Sequence, residues 1–218
     1  EWKRDKWNKF AKLYLWIAEW FAVKFAHISI ADNESIQDYT AIRYNLLTSI
    51  IEYGADHVSK VKITDSDRKK YPFLNKPYAF NVCRIEPENN IHILLNAFLK
   101  LPNHNLVIVG NWQHSEYSKK LFEQFSNVNN IHLLLPIYEP STINMLRSNA
   151  FVYFHPHSAG GTNPSLVEAM YLELPIITYN VSYNKTTTEN KALYFSNEED
   201  IINLVKNTSF TELKKIAA

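Results

Sequence analysis

Cysteine is nearly absent from this chain: Cys83 stands alone in 218 residues. It has no intramolecular partner for a disulfide, and nothing beside it shows paired metal-ligand spacing, so a reducing, cytoplasmic setting is expected. Neither sign of charge is in excess, because 23 Lys and Arg face 22 Asp and Glu for a formal net charge of +1. Such a field is too weak to make nucleic acid the expected partner. Long apolar runs are missing as well, and the first residues lack the apolar core and small-residue cleavage site of a secretory signal. Glycine is scarce, with four in the whole chain: Gly54, Gly110, Gly160 and Gly161. The hydrophobic share of 46% with 21% charged residues is that of an ordinary folded domain, which excludes tails and low-complexity arrays. The chain opens at Glu1 without a methionine and stops at Ala218 inside a stretch that reads as helix, so a piece of a longer protein is expected.

What is present is a rhythm. Apolar residues at helical spacing (Trp7, Phe10, Leu13, Tyr14, Ile17, Phe21) predict a long amphipathic helix over 5–27, followed by a short strand at 27–31, a cap at Asp32-Asn33 and a second helix over 34–44. The polar stretch 65–72 reads as a domain edge. Beyond it, strands at 78–83, 106–109, 131–135, 151–154, 175–179 and 192–195 alternate with helices at 91–101, 115–125, 141–149, 164–172 and 198–207. Short apolar strands alternating with helices indicate a parallel sheet covered on both faces. The expected fold is α/β: a Rossmann-like, doubly wound parallel sheet over 58–218 preceded by a helical N-terminal segment and crossing over 1–57. In such a sheet, ligands bind in the loops that follow the carboxyl ends of the strands.

The most unusual of those loops is His155-Pro156-His157-Ser158-Ala159-Gly160-Gly161-Thr162-Asn163-Pro164. Asn163 suits an N-cap and Pro164 a first helical position, where its missing N–H would have had no partner anyway. Two glycines let the backbone approach a ligand, and the free N–H groups with the positive end of the helix dipole attract an anion such as phosphate. The spacing fits equally a tight capped turn without a ligand, and it matches neither GxGxxG nor GxxxxGK[ST]. Glu168 lies one turn into the following helix and can accept hydrogen bonds from sugar hydroxyls. Its alternative is a surface carboxylate compensating the helix dipole. Arg84 ends a strand, and its planar fork suits a pyrophosphate; the alternative is a surface pair with Glu86 or Glu88. His155 and His157 have no third ligand at metal spacing, so no zinc site is expected.

The runs Arg84-Ile85-Glu86-Pro87-Glu88-Asn89-Asn90-Ile91, Leu106-Val107-Ile108-Val109-Gly110, the stretch from Gly160 to Met170 and Leu174-Pro175-Ile176-Ile177 together resemble the carboxyl-terminal half of a family 4 glycosyltransferase of the GT-B type. More narrowly, they resemble its bacterial rhamnosyltransferase-like subgroup, and Ala31-Asp32-Asn33 and Glu52-Tyr53-Gly54-Ala55-Asp56 look like that subgroup's interdomain crossing. The resemblance implies a retaining hexosyltransferase that takes a nucleotide-sugar here and an acceptor mostly in another domain. By the same resemblance, Arg84 is the catalytic contact to the diphosphate, Gly160, Gly161, Thr162 and Asn163 cradle phosphate and sugar, and Glu168 holds the ribose. Asn89, Tyr138 at the base and His155 complete the expected donor set. Three departures stand out: Gly160 replaces the first glutamate of a paired-glutamate motif, Asn89 replaces a lysine and Glu173 replaces a glycine.

The implied activity is transfer of a hexose, L-rhamnose from dTDP-rhamnose, to a glycan or lipid-linked acceptor in bacterial surface polysaccharide synthesis. No cofactor and no metal are expected, and 1–218 by itself is expected to be inactive. The alternatives are a nucleotide-sugar-binding module or degenerate transferase without turnover, and a nucleotide-sugar epimerase on the same fold. The helix over 5–27, with Trp7, Trp16 and Trp20 among lysines, also fits peripheral contact at the inner face of a membrane, although burial against another domain accounts better for its aromatics.

Overall fold

The computed structural model describes Trp2 and residues 7–208. Asp5, where the first helix was expected to begin, and the helical reading of 214–218 lie outside the described residues. Helix α1 spans Lys9–Phe25, with the Asn8 side chain accepting from the Ala11 N–H as its cap. Strand β1 (Ile30–Ala31) pairs in parallel with β2 (Ser49–Ile50), and helix α2 (Glu34–Tyr44) lies between them in sequence. The pairing is shorter than the sequence pattern suggested. No described helix is long and apolar enough to cross a membrane.

The polar stretch taken as a domain edge contains a helix, α3 (Asp65–Lys70). Its start is a capping box in which Thr64 accepts from the Asp67 N–H while the Asp67 carboxylate accepts from the Thr64 N–H. Asp65-Ser66-Asp67 has the spacing of an Asp-x-Asp cation site, yet Asp67 is engaged in this cap. Then follow β3 (Tyr78–Val82), α4 (Ile91–Leu99), β4 (Asn105–Val109), α5 (Glu116–Phe125), β5 (Ile131–Leu134), α6 (Pro140–Ser148), β6 (Val152–His155), α7 (Pro164–Tyr171), β7 (Ile176–Tyr179), α8 (Ser182–Thr187), β8 (Leu193–Phe195) and α9 (Glu198–Asn207). Helix α8, rich in Ser, Asn and Thr, gave no periodic apolar signal in the sequence.

The six strands β3 to β8 form one parallel sheet in the order β5-β4-β3-β6-β7-β8. The chain first winds outward from β3 to β5, then returns to the centre at β6 and winds the other way, which is the doubly wound arrangement. Alternate residues along the strands go to opposite faces. Ala79, Leu106, Ile108, Phe154 and Ile177 join Leu94, Phe98, Phe125 and Ile201 in one core. Tyr78, Phe80, Val107, Tyr153 and Ile176 join Met145, Leu146, Leu166 and Ala169 in the other. Each face is thus closed by its own helices, with α4 packed on α9 over the first. Apolar burial on both sides explains why these strands read as continuous apolar runs.

Helix α1 has no buried residue, and Phe10, Leu13, Tyr14 and Phe25 are exposed. Helix α2 instead packs on α8 and ties the N-terminal segment to the large domain. Glu173 adopts a left-handed conformation (φ 58°) that glycine would take without strain, and its carboxylate pairs with Lys60.

Helix α6 begins at the Glu139 carboxylate, which accepts from the Ser141 N–H at 3.0 Å and the Ser141 hydroxyl at 2.7 Å. Hydrogen bonds from Thr142, and then from Ser141, pull its pKa down from 4.5 to about 2. A depressed carboxyl pKa adds stability that is fully present above the unfolded value and is lost as pH falls through the folded one. The acid limb of urea stability between pH 4.5 and about 2 should therefore be shallower in Glu139→Gln than in the wild type. Parallel limbs in the two proteins would contradict this capping role.

Candidate functional site

The sheet reverses direction of winding between β3 and β6, and in doubly wound sheets the ligand crevice lies above the carboxyl ends of the strands at that reversal. One wall is the loop Cys83 to Asn90. Gly110, at the end of the neighbouring β4, lies so close that an added Cβ would meet the Cys83 carbonyl at 2.8 Å and Ile85 Cδ1 at 2.6 Å. Ile85 is buried there. The Arg84 side chain is 68% exposed, with Nη1 3.7 Å from Glu86 Oε1. A pair that long and that exposed holds the guanidinium weakly. Desolvation pushes the Cys83 thiol well above its ordinary range.

The other wall is the loop from His155 to Asn163. Ser158 donates from both its N–H and its hydroxyl to the Glu88 carbonyl at 3.0 Å, and Asn90 Nδ2 donates to the Pro156 carbonyl at 2.9 Å. The two loops are therefore stitched together below the crevice. Gly160 has φ 134°, a conformation that L side chains rarely adopt. Thr162 Oγ1 accepts from Asn33 Nδ2 at 2.7 Å, donates to the Asp32 carbonyl at 3.2 Å and lies 3.1 Å from Thr187 Oγ1. Asn163 caps α7 by accepting from the Ser165 N–H at 3.0 Å, as its place before Pro164 predicted. The Ser165 hydroxyl donates to the same Asn163 oxygen and accepts from the Tyr153 hydroxyl at 3.0 Å.

Glu168 faces back along α7 and is held from two sides. Arg147 on α6, itself buried, forms an ion pair with one carboxylate oxygen, and His57 Nε2 lies 3.0 Å from the other. Neither partner was anticipated. Arg147 is one of four successive buried residues of α6, with Asn144, Met145 and Leu146, and nothing in its local spacing marked it. His57 comes from the crossing segment, where nothing in the sequence pointed toward α7.

The remaining expected donor residues fall differently. Asn89 is buried, and its amide donates to the Arg84 carbonyl at 2.6 Å, closing the turn under the crevice instead of facing into it. His155 is fully buried and stacks on His157 with ring centroids 4.3 Å apart. Burial, and next the neighbouring His157, hold its pKa well below the usual imidazole range, so it is neutral. Tyr138 is 89% exposed at the rim after β5. Among the described residues, no group of three or more His, Cys, Asp or Glu is arranged to hold a metal ion.

A cleft of about 930 Å3 joins the glycine pair to the N-terminal segment, lined on that side by Glu19, Asp32, Tyr39 and Tyr53. A smaller apolar hollow of about 370 Å3 opens at the other end of the sheet, near Lys76, Phe98 and Leu204. It lies at the amino ends of the strands, away from the loops that carry chemistry.

A doubly wound parallel sheet with its crevice at the β3/β6 reversal is the architecture of one half of a GT-B protein. Residues 63–209 match the model of the family described as glycosyl transferases group 1, and the chain belongs to that family. Residues 1–56 match a domain of unknown function. No curated protein matches the chain. Among solved structures, HepE from Anabaena, in complex with UDP and glucose, superimposes with a TM-score of 0.75 at 18% identity over 99% of this chain and 62% of its own. The pneumococcal O-GlcNAc transferase GtfA, in complex with UDP and GlcNAc, gives 0.63 at 18% identity over 92% and 43%. Sucrose-phosphate synthase from Thermosynechococcus elongatus gives 0.69 at 15% identity over 99% and 56%. The chain thus spans about three fifths or less of these three proteins, and at such identities the likeness shows the fold. The rhamnosyl subgroup is not distinguished by any of these matches.

The Arg147 to Glu168 pair gives a stability prediction. Removing one partner of a largely buried ion pair strands the other charge, so Arg147→Met should cost about 3 kcal/mol in urea unfolding. The double variant Arg147→Met/Glu168→Gln should recover part of that loss. A loss in the double variant equal to the sum of the two single losses would show that the pair is not coupled.

Proposed function

We propose that this chain is the donor-binding part of a glycosyltransferase, and that it holds a nucleoside diphosphate sugar across the β3/β6 crevice. The observation that carries the reading is the open N-terminus of α7, reached through the glycine pair, with the weakly held Arg84 on the facing loop. Backbone N–H groups at Gly161 and Asn163 and the positive end of the helix receive the phosphates. Arg84 swings onto the diphosphate as a bidentate donor. Glu168, oriented by Arg147 and His57, accepts from the ribose hydroxyls, and Tyr138 at the rim covers the base.

The donor we favour is dTDP-L-rhamnose, by resemblance to the rhamnosyltransferase-like subgroup, and the acceptor is a glycan or lipid-linked saccharide of a bacterial surface polymer. The UDP in the Anabaena and pneumococcal structures is, like dTDP, a pyrimidine diphosphate. In the retaining reaction the bond from the sugar C1 to the β-phosphate oxygen breaks, and a bond from C1 to the acceptor oxygen forms on the same face. The acceptor hydroxyl's proton passes to the departing phosphate. Arg84 and the α7 N–H groups stabilise the charge that develops on the diphosphate. No side chain of the chain is assigned as a base.

Calorimetric titration with dTDP, UDP and GDP tests this. A pyrimidine diphosphate should bind with a dissociation constant on the order of micromolar to millimolar, and Arg84→Ala should weaken it about tenfold, or roughly 1.4 kcal/mol. Gly161→Ala should weaken it as well, because its Cβ would stand 2.6 Å from the Asp32 carboxylate and push the loop out of place. A folded protein that binds none of the three diphosphates would refute the donor-site reading. Binding without turnover in the full-length protein would favour the module reading, which the bare Gly160 motivates.

A further inference from the structure

Asp32 belongs to the short β1/β2 unit and not to the doubly wound domain, yet its carboxylate lies against the glycine loop. A Cβ built on Gly161 would stand 2.6 Å from Asp32 Oδ2 and 2.7 Å from Oδ1. The carboxylate therefore fills the space that a side chain at position 161 would take. Its placement is firmly set. Asn33, the next residue, is buried, caps α2 by accepting from the Ile36 N–H at 3.0 Å and donates from its amide to Thr162 Oγ1. The Asp32 carbonyl accepts from the same Thr162 hydroxyl, and Ser35 Oγ lies 2.9 Å from Ser182 Oγ one turn further on.

One oxygen of this carboxylate, Oδ1, is buried without a hydrogen-bond partner. Burial raises the Asp32 pKa, while backbone hydrogen bonds from Asp32 itself and Thr162 pull it the other way. A buried acceptor with no donor is costly and calls for an explanation. The cleft that Asp32 lines with Gly160 and Gly161 has no Lys or Arg among its described lining residues. Gly160 and Gly161 carry no side chains, so Asp32 brings a carboxylate acceptor to this part of the loop, and the two glycines are the backbone best able to shift and admit a ligand.

We propose that Asp32 is a sugar-binding residue of the donor site, its carboxylate accepting hydrogen bonds from hydroxyl groups of the hexose on the bound nucleoside diphosphate. This rests on the reading of the Gly160 to Asn163 loop as the phosphate cradle. A hexose joined to phosphates held there lies next to the glycine pair, and charge-assisted bonds from its hydroxyls are the strong kind.

The test compares each diphosphate with its hexose conjugate, using dTDP with dTDP-rhamnose and dTDP-glucose and UDP with UDP-glucose, on the wild type, Asp32→Asn and Asp32→Ala. Asn is isosteric, and thermal melts of both variants establish that they fold. The wild type should bind at least one conjugate more tightly than its diphosphate. Asp32→Asn should keep the diphosphate constant within about twofold and lose about tenfold on that conjugate, a difference of roughly 1.4 kcal/mol. Because hydroxyl donors favour the ionised carboxylate, the wild-type advantage for the conjugate should shrink on acidification through the raised Asp32 pKa, and the Asn variant should lack that dependence. Equal losses on diphosphate and conjugate would make Asp32 a loop-positioning residue and overturn the proposal, as would no loss on either. Failure of the wild type to bind any diphosphate would instead overturn the underlying phosphate-site reading, and this proposal with it.

Discussion

Between β3 and β6 the ladder carries two registered pairs, Ala79 with Val152 and Phe80 with Tyr153, and beyond them the two strands part. The carbonyl groups of the parting strand still have to be satisfied, because they are buried and water does not reach them. Side chains do this. Asn81 Nδ2 donates to the Phe154 carbonyl at 2.9 Å, Thr178 Oγ1 to His155 at 3.0 Å, Asn90 Nδ2 to Pro156 at 2.9 Å and Asn184 Nδ2 to His157 at 3.1 Å. Four successive carbonyls are thus taken by four side chains, from β3, β7, α8 and the residue that precedes α4. The crevice exists because the strands part, and it keeps its shape because these bonds replace the ladder.

The charges above that floor are arranged by contrast. Arg84 is exposed and weakly held, whereas Glu168 is fixed by a buried arginine and a histidine. A mobile cation over backbone N–H groups suits a polyphosphate that arrives and leaves, while a fixed carboxylate suits neutral hydroxyls that need a set direction. The relay from Tyr153 through Ser165 to Asn163 anchors the start of α7 to the sheet beneath it, so the helix N-terminus stays in place. Buried His155, which is neutral, stacks on buried His157 in this support.

The sheet was legible in the sequence because burial on both faces forces apolar runs of four or five residues, and a capped helix begins where Asn163 and Pro164 stand together. Elements stabilised by polar contacts were not. Helix α8 has no apolar periodicity, and α3 depends on the Thr64 to Asp67 box, which a reader sees as mere polarity. At the site, Arg84, the glycine pair and Glu168 stood out because strand ends and helix starts are where ligands bind. Asn81, Asn90 and Asn184 did not, since their task is to satisfy carbonyls exposed by a topology that appears only once strands are ordered. His57 and Asp32 were hidden for a similar reason: they lie more than a hundred residues from Glu168 and Gly161 in sequence, and local spacing carries no trace of such meetings.

Those two long-range meetings also say how the N-terminal segment and the large domain act on each other. The chain leaving the crossing meets the end of α6: the Val61 N–H donates to Ser148 Oγ at 3.1 Å, and Asn149 Nδ2 donates to the Val61 carbonyl at 2.7 Å. From the same segment His57 reaches Glu168, while Asn33 and Asp32, before the crossing, reach Thr162 and Gly161. The residues that precede the doubly wound domain therefore touch both ends of the site helix's approach, the loop that enters it and the carboxylate one turn inside. A displacement of β1 and α2 would move the first contact, and a displacement of the crossing would move the second. Because both contacts run through hydrogen bonds to single side chains, the geometry offered to a ligand depends on how the N-terminal segment sits on the sheet as well as on the sheet itself.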